Sequence, residues 1–149
     1  MLFSRYGQNL LVAHERRSRM TLVVKPPNRR ADTIAAHLLE MLEPLPRRMC
    51  RTISFDNDTE FTLHRRLTSR LQMQTYFCDP HSPWQKGGVE NAIGRLRRVL
   101  PRKTDLSLLS EQQLKKLVRA HNNTPRKCLD FKTPAELFSE LQSTVALQP

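Results

Sequence analysis

Asp56 opens the run Asp56-Asn57-Asp58-Thr59-Glu60-Phe61, directly after Ile53 and Phe55, whose alternation with polar neighbours predicts a short strand ending at Asp56. In α/β proteins ligands bind beyond the carboxyl ends of strands, so a carboxylate at that place is a candidate ligand. The same residues could also act locally. Asn57 or Asp58 could cap a following helix, Glu60 could complete a capping box with Asn57, and Asp56 could shape the turn. Glu90 stands in the first turn of a helix predicted over Gly88 to Leu100, where Val89, Ile93, Leu96 and Leu100 form one apolar stripe. It falls on the margin of that stripe with Gly94 and Arg97, facing neither fully in nor fully out. It could serve only to complement the positive end of the helix dipole. Yet four residues on stands Gly94, which offers no ion-pair partner and lets another group approach closely. Asp56 and Glu90 are separated by 33 residues that hold one predicted helix and one predicted strand, so the two can converge above one sheet edge. Hard carboxylate oxygens suit Mg²⁺ or Mn²⁺, and displacement at a phosphodiester uses two such ions to activate the attacking oxygen and stabilise the leaving one.

The elements that must position these residues follow from hydrophobic spacing. Leu10–Ala13 and Met20–Val24 are short apolar runs around the polar stretch His14–Arg19 and predict a hairpin of two strands. Ile34, Leu38, Met41 and Leu42 recur at helical spacing from Asp32, and Pro44 with Pro46 stops that helix. A helix is expected from about Asp58 to Leu71, then a strand through Gln74–Phe77, then a loop from Asp79 to Lys86. Pro101 closes the helix that carries Glu90. Ser110 with Gln113, and Thr133-Pro134 with Glu136, are capping signatures for helices over Glu111–His121 and Pro134–Leu141. Strands come first and helices alternate with them later, which predicts an α/β fold with a mixed sheet. The length of 149 residues suits one domain.

Charge narrows the chemistry further. The net charge is +11, but residues 1–31 carry +6, residues 32–60 carry −3, residues 61–104 carry +7 and residues 105–149 carry +1. The basic excess favours a polyanion, with nucleic acid the first candidate. An acidic island weakens attraction to a phosphate backbone but is what a divalent-cation site requires. No apolar run approaches the length of a membrane span and the start lacks a signal peptide, so no membrane partner is expected. Cys50, Cys78 and Cys128 are an odd number without close pairs, which argues against a disulfide framework or zinc ribbon and for a reducing, cytoplasmic setting.

At this level of detail the sequence resembles a known family. Asp56-Asn57-x-x-Glu60-Phe61, Phe77-Cys78-Asp79-Pro80, Ser82-Pro83-Trp84-Gln85-Lys86-Gly87, Glu90-Asn91 and Pro101-x-Lys103-x-Asp105 resemble the catalytic core of DDE transposases of the insertion-sequence class numbered thirty. The resemblance runs from about Leu10 to Phe138 and takes in Arg126-Lys127-Cys128-Leu129, Thr133-Pro134 and Glu136. It implies a ribonuclease H-like, integrase-type core over residues 1–105, with residues 106–149 a C-terminal helical extension of the same domain. It also implies Mg²⁺ or Mn²⁺, two ions in an intact site, DNA as partner in the form of element ends and target, a homo-oligomer as one assembly, and a bacterial, nucleoid-associated setting. Asp56 would be the second metal-binding aspartate and Glu90 the glutamate of the catalytic triad. Two departures stand out. Asp58 occupies a position where the family usually has glycine, and residues 1–14 contain no Asp or Glu, although the family's first aspartate belongs on the first strand. By alignment with Leu2-Phe3-Ser4 it would precede Met1, so the chain is expected to be N-terminally truncated and inactive in cleavage as it stands.

Lys86, Trp84, Asn91, Arg95, Arg97, Arg98 and Lys103 are candidates to hold nucleic acid, with Arg95, Arg97 and Arg98 as a phosphate track along the helix. Trp84 could stack on a base or pack its proline-rich loop onto the domain. His14, His37, His64, His81 and His121 lack metal-ligand spacing and read as surface or loop residues. Three functions are open on these grounds: a metal-dependent DNA strand transferase, a catalytically defective remnant that only binds DNA, and a basic RNA-binding accessory domain. The last leaves the pairing of Asp56 with Glu90 unexplained.

Overall fold

The computed structural model describes residues 2–3 and 8–146, and the fold divides into two compact units. The first unit holds the described residues up to Lys25 together with Gly88–Glu140. Its sheet begins with the short strand β1 (Leu2–Phe3), which pairs antiparallel with β2 (Asn9–His14), Leu2 opposite Leu10. β2 in turn pairs antiparallel with β3 (Thr21–Val24), Leu11 opposite Val24 and His14 opposite Thr21, so the expected hairpin is present. A tight turn links the two strands. Glu15 accepts the N–H groups of Arg17 and Ser18 at 2.9 and 2.6 Å and the Ser18 hydroxyl, and Arg19 takes the left-handed conformation at φ 62°.

Helices α3 (Gly87–Leu96, in this unit from Gly88), α4 (Glu111–Asn122) and α5 (Pro134–Ala146, in this unit to Glu140) complete the unit; α1 (Ala31–Leu42) and α2 (Arg65–Leu71) belong to the second. Leu10, Val12, Leu96, Leu100, Leu106 and Leu114 form the core, with Val89, Ile93 and Leu117 packed against it. Both expected capping signatures are realised. The Ser110 hydroxyl accepts the Gln113 N–H at 3.2 Å while Gln113 accepts the Ser110 N–H at 2.9 Å, and Thr133 and Glu136 exchange the equivalent bonds at 3.1 and 2.7 Å. α3 is shorter than expected. Arg98 bonds Arg95 and Val99 bonds Leu96 three residues back, tightening the end of the helix ahead of Pro101, so Arg97 and Arg98 lie in a turn.

β3 has a strand neighbour on one side only, and a side chain closes part of the other. The buried amide of Asn122, at the end of α4, accepts the Thr21 N–H at 3.0 Å and donates to the Thr21 carbonyl at 2.8 Å. Lys25 at the far end donates to the carbonyls of Leu106 and Leu109 at 3.1 and 2.8 Å. Two histidines expected at the surface are instead half-buried here. The His14 ring lies 3.4 Å from the Thr21 hydroxyl, which lies 3.3 Å from the ring of His121. The contact spans 107 residues of sequence, which is why local patterning does not reveal it. Burial and the charge of Arg19 push His14 down to about 4, and burial with the charge of Arg126 does the same to His121.

The second unit holds Pro26–Gly87 and the described residues from Leu141 on. α1 (Ala31–Leu42) buries Ile34, Ala35, Leu38 and Leu42 and places Asp32 in its first turn, where a carboxylate complements the helix dipole. β4 (Thr52–Phe55) and β5 (Gln74–Phe77) pair in parallel with Phe55 opposite Phe77. The helix expected from Asp58 to Leu71 is interrupted: a 3₁₀ turn over Thr59–Phe61 precedes α2 (Arg65–Leu71). Long-range contacts hold that first turn in place. Phe61 stacks on Phe55 with ring centroids 4.7 Å apart, and the buried Glu60 is bound by Arg29, Nε at 3.0 Å. α2 ends at Gln72, in the left-handed conformation. The three cysteines are free, and among the described residues no helix is long and apolar enough to cross a membrane.

Candidate active site

In the second unit the backbone leaves β4 and β5 at the same height, because Phe55 and Phe77 are the last paired residues. Cys78 donates its N–H to the Phe55 carbonyl at 2.8 Å, and the Asn57 side chain donates to the Cys78 carbonyl at 2.8 Å. Asn57 therefore ties the two strand ends together instead of capping a helix. Asp58 makes no side-chain cap bond either, and Glu60 is engaged with Arg29. The local roles first open to Asn57 and Glu60 are thus replaced by others, and Asp58 does not take the one open to it. Asp56 sits between these anchors. It is half-buried, and its Oδ1 is fully buried without a hydrogen-bond partner. An orphaned carboxylate oxygen is costly to bury, which makes it a ready ligand for a hard cation.

The loop after β5 is braced from within. Gln85 accepts the Asp79 N–H and donates to the Asp79 carboxylate, each at 2.8 Å, across a 3₁₀ turn over Pro83–Lys86. Lys86 is half-buried. Trp84 is 74% exposed, so it does not pack its loop onto the domain, the second of the two uses open to it. An indole left in water in this way is free to stack on another ring.

In the first unit Glu90 lies in the first turn of α3 and is exposed. It projects to solvent rather than lying on the margin of the core, because the buried face of α3 is centred on Ala92 and Leu96, with Val89 and Ile93 beside them. Gly88, just ahead of it, is held close to His14: a first side-chain carbon there would stand 3.2 Å from His14 Cδ2. Asn91 accepts a bond from Arg95 Nε at 3.1 Å, one turn along. Arg95, Arg98 and Lys103 are exposed, whereas Arg97 is half-buried with one guanidinium nitrogen lacking a partner. Burial and the charge of Arg102 depress the Arg97 guanidinium, and of the three arginines of the expected track Arg95 and Arg98 are the exposed ones. Arg126, which the sequence reading took in with the family segment Arg126–Leu129 but gave no site role, is buried beside His121. Among the described residues no group of three or more His, Cys, Asp or Glu side chains is placed to hold a metal ion.

No protein-family model matches the chain. It is 37% identical over 127 residues to the transposase of insertion sequence element IS1086 from Cupriavidus metallidurans, a match covering 85% of this chain and 38% of that protein. It is 34% identical over 124 residues to the transposase InsI of IS30A from Escherichia coli, covering 83% of this chain and 32% of the relative. The chain thus spans about a third of the length of these relatives. Among solved structures, the catalytic core domain of BIV integrase superposes with a TM-score of 0.70, at 22% identity, covering 95% of this chain and 91% of that one. That likeness establishes the ribonuclease H-like, integrase-core fold expected from the sequence. Over the segment it shares with these relatives, the chain is similar to insertion-sequence transposases.

Proposed function

We propose that this chain is the integrase-like catalytic domain of a DNA transposase, acting on phosphodiester bonds with Mg²⁺ or Mn²⁺. The catalytic core is assigned to residues 1–105, with residues 106–149 as its helical extension. The observation that carries the reading is the buried, unpartnered Oδ1 of Asp56 at the C-terminal end of β4. In a chain homologous to transposases, such an oxygen is best explained as a ligand in waiting. Asp56 and Glu90 are assigned to hold the metal. Divalent ions held there would supply activation of the attacking oxygen and stabilisation of the leaving one. The residues of the chain do the rest. Asn57 fixes the strand ends beside Asp56, while Lys86, Asn91, Arg95, Arg98 and Lys103 orient the DNA backbone and the exposed Trp84 offers a stacking surface. Element ends and target DNA are the partners, in the setting of a homo-oligomer.

A second reading has its own observation. Residues 1–14, which include β1 and β2, carry no carboxylate, so residues 1–149 lack the third ligand of a triad. On this reading the polypeptide binds DNA without cutting it. Titration of Mn²⁺ into the chain, followed by calorimetry, tests the site independently of turnover. Saturable binding that Asp56→Asn and Glu90→Gln each abolish is the expected result. Binding that survives both substitutions would refute the assignment.

A further inference from the structure

Asp79 and Gln85 have no part in the function proposed above, yet they are joined twice. Gln85 Oε1 accepts the Asp79 N–H and Gln85 Nε2 donates to Asp79 Oδ2, each at 2.8 Å, so both ends of one planar amide are engaged and its orientation is fixed. The chain between them is drawn into a closed loop. Inside it Ser82 donates its N–H to the Asp79 carbonyl at 3.2 Å, and Gln85 donates its own to the Ser82 carbonyl at 3.1 Å. His81 takes the left-handed conformation at φ 59°, which is unfavourable for a residue with a side chain and persists only where the surroundings impose it. The base of the loop is tied as well: Cys78, directly before Asp79, bonds the Phe55 carbonyl through its N–H and accepts the Asn57 amide on its carbonyl, beside Asp56. Trp84 is carried on this frame, its own carbonyl accepting the Gly87 N–H.

Both members of the pair are exposed, so the clamp adds local order rather than core. Ordering an exposed loop costs conformational entropy, and no burial of Asp79 or Gln85 offsets it. The gain comes on binding, because a ring already held in place loses less freedom when a ligand stacks on it. We propose that Gln85 and Asp79 are a positioning pair, which sets the Trp84 indole in its binding conformation before a ligand arrives, and that the ligand is an unpaired DNA base. Paired bases hide both faces in the duplex stack, whereas an unpaired one offers a flat face that an indole can cover. The net charge of +11 favours a ring that comes attached to phosphates. The inference rests on the reading above for DNA as the ligand, and it needs neither metal nor cleavage.

Trp84 is the sole tryptophan of the chain, so its fluorescence reports on this loop alone. Time-resolved anisotropy of the full chain, without DNA or divalent metal, measures its motion on the nanosecond scale. Gln85→Ala should raise the amplitude of the fast component about twofold or more, with the far-ultraviolet circular dichroism unchanged. Gln85→Glu sets two carboxylates against each other and should do the same. Combining Gln85→Glu with Asp79→Asn reverses the side-chain bond, the new amide at position 79 donating to the new carboxylate at position 85, and should restore the slow decay. A general disturbance of the surface would not be undone by a second substitution. Binding is then followed by the anisotropy of two labelled duplexes, one blunt and one with a short single-stranded overhang. Gln85→Ala, which leaves the net charge unchanged, should weaken binding to the overhang duplex about fivefold and to the blunt one less than about twofold. A fast component unchanged in Gln85→Ala, no restoration in the combined variant, or equal losses on the two duplexes would overturn the proposal. Failure of Mn²⁺ to bind in the earlier titration would remove the catalytic reading and leave this one standing.

Discussion

Lowering the pH from 7 to 4.5 should destabilise the chain through His14 and His121. Each ring is pushed down from 6.5 to about 4 in the folded state, burial being the largest cause. The sign follows from which state takes up protons. As pH falls through 6.5 the unfolded chain protonates both histidines while the folded chain keeps them neutral, so protons favour the unfolded state. Their stabilising contribution is complete above about pH 6.5 and is lost progressively toward pH 4. Taken at face value each depression corresponds to about 3 kcal/mol. Both rings are only half-buried and His121 also feels His14, and solvent screening reduces this to about 1–2 kcal/mol per ring. A combined loss of about 2–4 kcal/mol is a large share of the 5–15 kcal/mol typical of a domain. Carboxylates held below their usual range, among them Asp105 by the Ser107 hydroxyl and Glu136 by the Thr133 N–H, add a loss of the same sign that sets in only at the low end of this window. Urea unfolding followed by circular dichroism at pH 7.5, 6.5, 5.5 and 4.5 measures the effect. His121→Gln, which carries no titrating proton, should flatten the profile by close to one proton per unfolding event. A stability that stays constant from pH 7 to 4.5, or a slope unchanged in His121→Gln, would refute the reasoning.

The pair of Arg29 and Glu60 should respond unequally to removal of its two members. Glu60 is 2% exposed and Arg29 46% exposed, so Arg29→Ala strands a buried carboxylate and should cost about 3–5 kcal/mol, while Glu60→Gln releases a guanidinium that water can solvate and should cost well under half of that. Equal losses in chemical denaturation would show that the carboxylate relaxes into solvent. Asn122→Ala leaves the Thr21 N–H and carbonyl without their partner and should cost about 2–4 kcal/mol, with hydrogen exchange at the Thr21 amide accelerated accordingly. An unchanged exchange rate at that amide would mean another group had taken its place.

Much of this fold is legible in local sequence because its elements are short and patterned. The apolar runs at Leu10–Ala13 and Met20–Val24, the spacing of Ile34, Leu38 and Leu42, and the two capping boxes each report on a few neighbouring residues, and each is found where its pattern places it. What local pattern does not carry is any contact made across the chain. The 3₁₀ turn that interrupts the expected helix after Asp58 depends on Arg29, 31 residues from Glu60, and on the stacking of Phe61 against Phe55. His14 and His121 look like surface histidines until β3 and α4 bring them to one hydroxyl. Arg126 looks like one basic residue among many, and only its burial distinguishes it. Asp56 was visible as a strand-end carboxylate, but its unpartnered oxygen could not be read from the sequence, since Asn57, the obvious local partner, is drawn away to Cys78.

A strand edge closed by one amide is closed only while the helix carrying that amide stays docked. Asn122 is at the last turn of α4, and both of its bonds go to Thr21, so fraying of this helix end unseals the start of β3 before the hairpin itself is lost. The segment laid open is Thr-Leu-Val-Val, largely β-branched and apolar, whose Thr21 N–H and carbonyl then lose their partner. Such an edge recruits the same segment from another molecule. Pairing of this kind is therefore expected to follow local opening of α4, and a more strongly docked helix end should raise the concentration at which it begins.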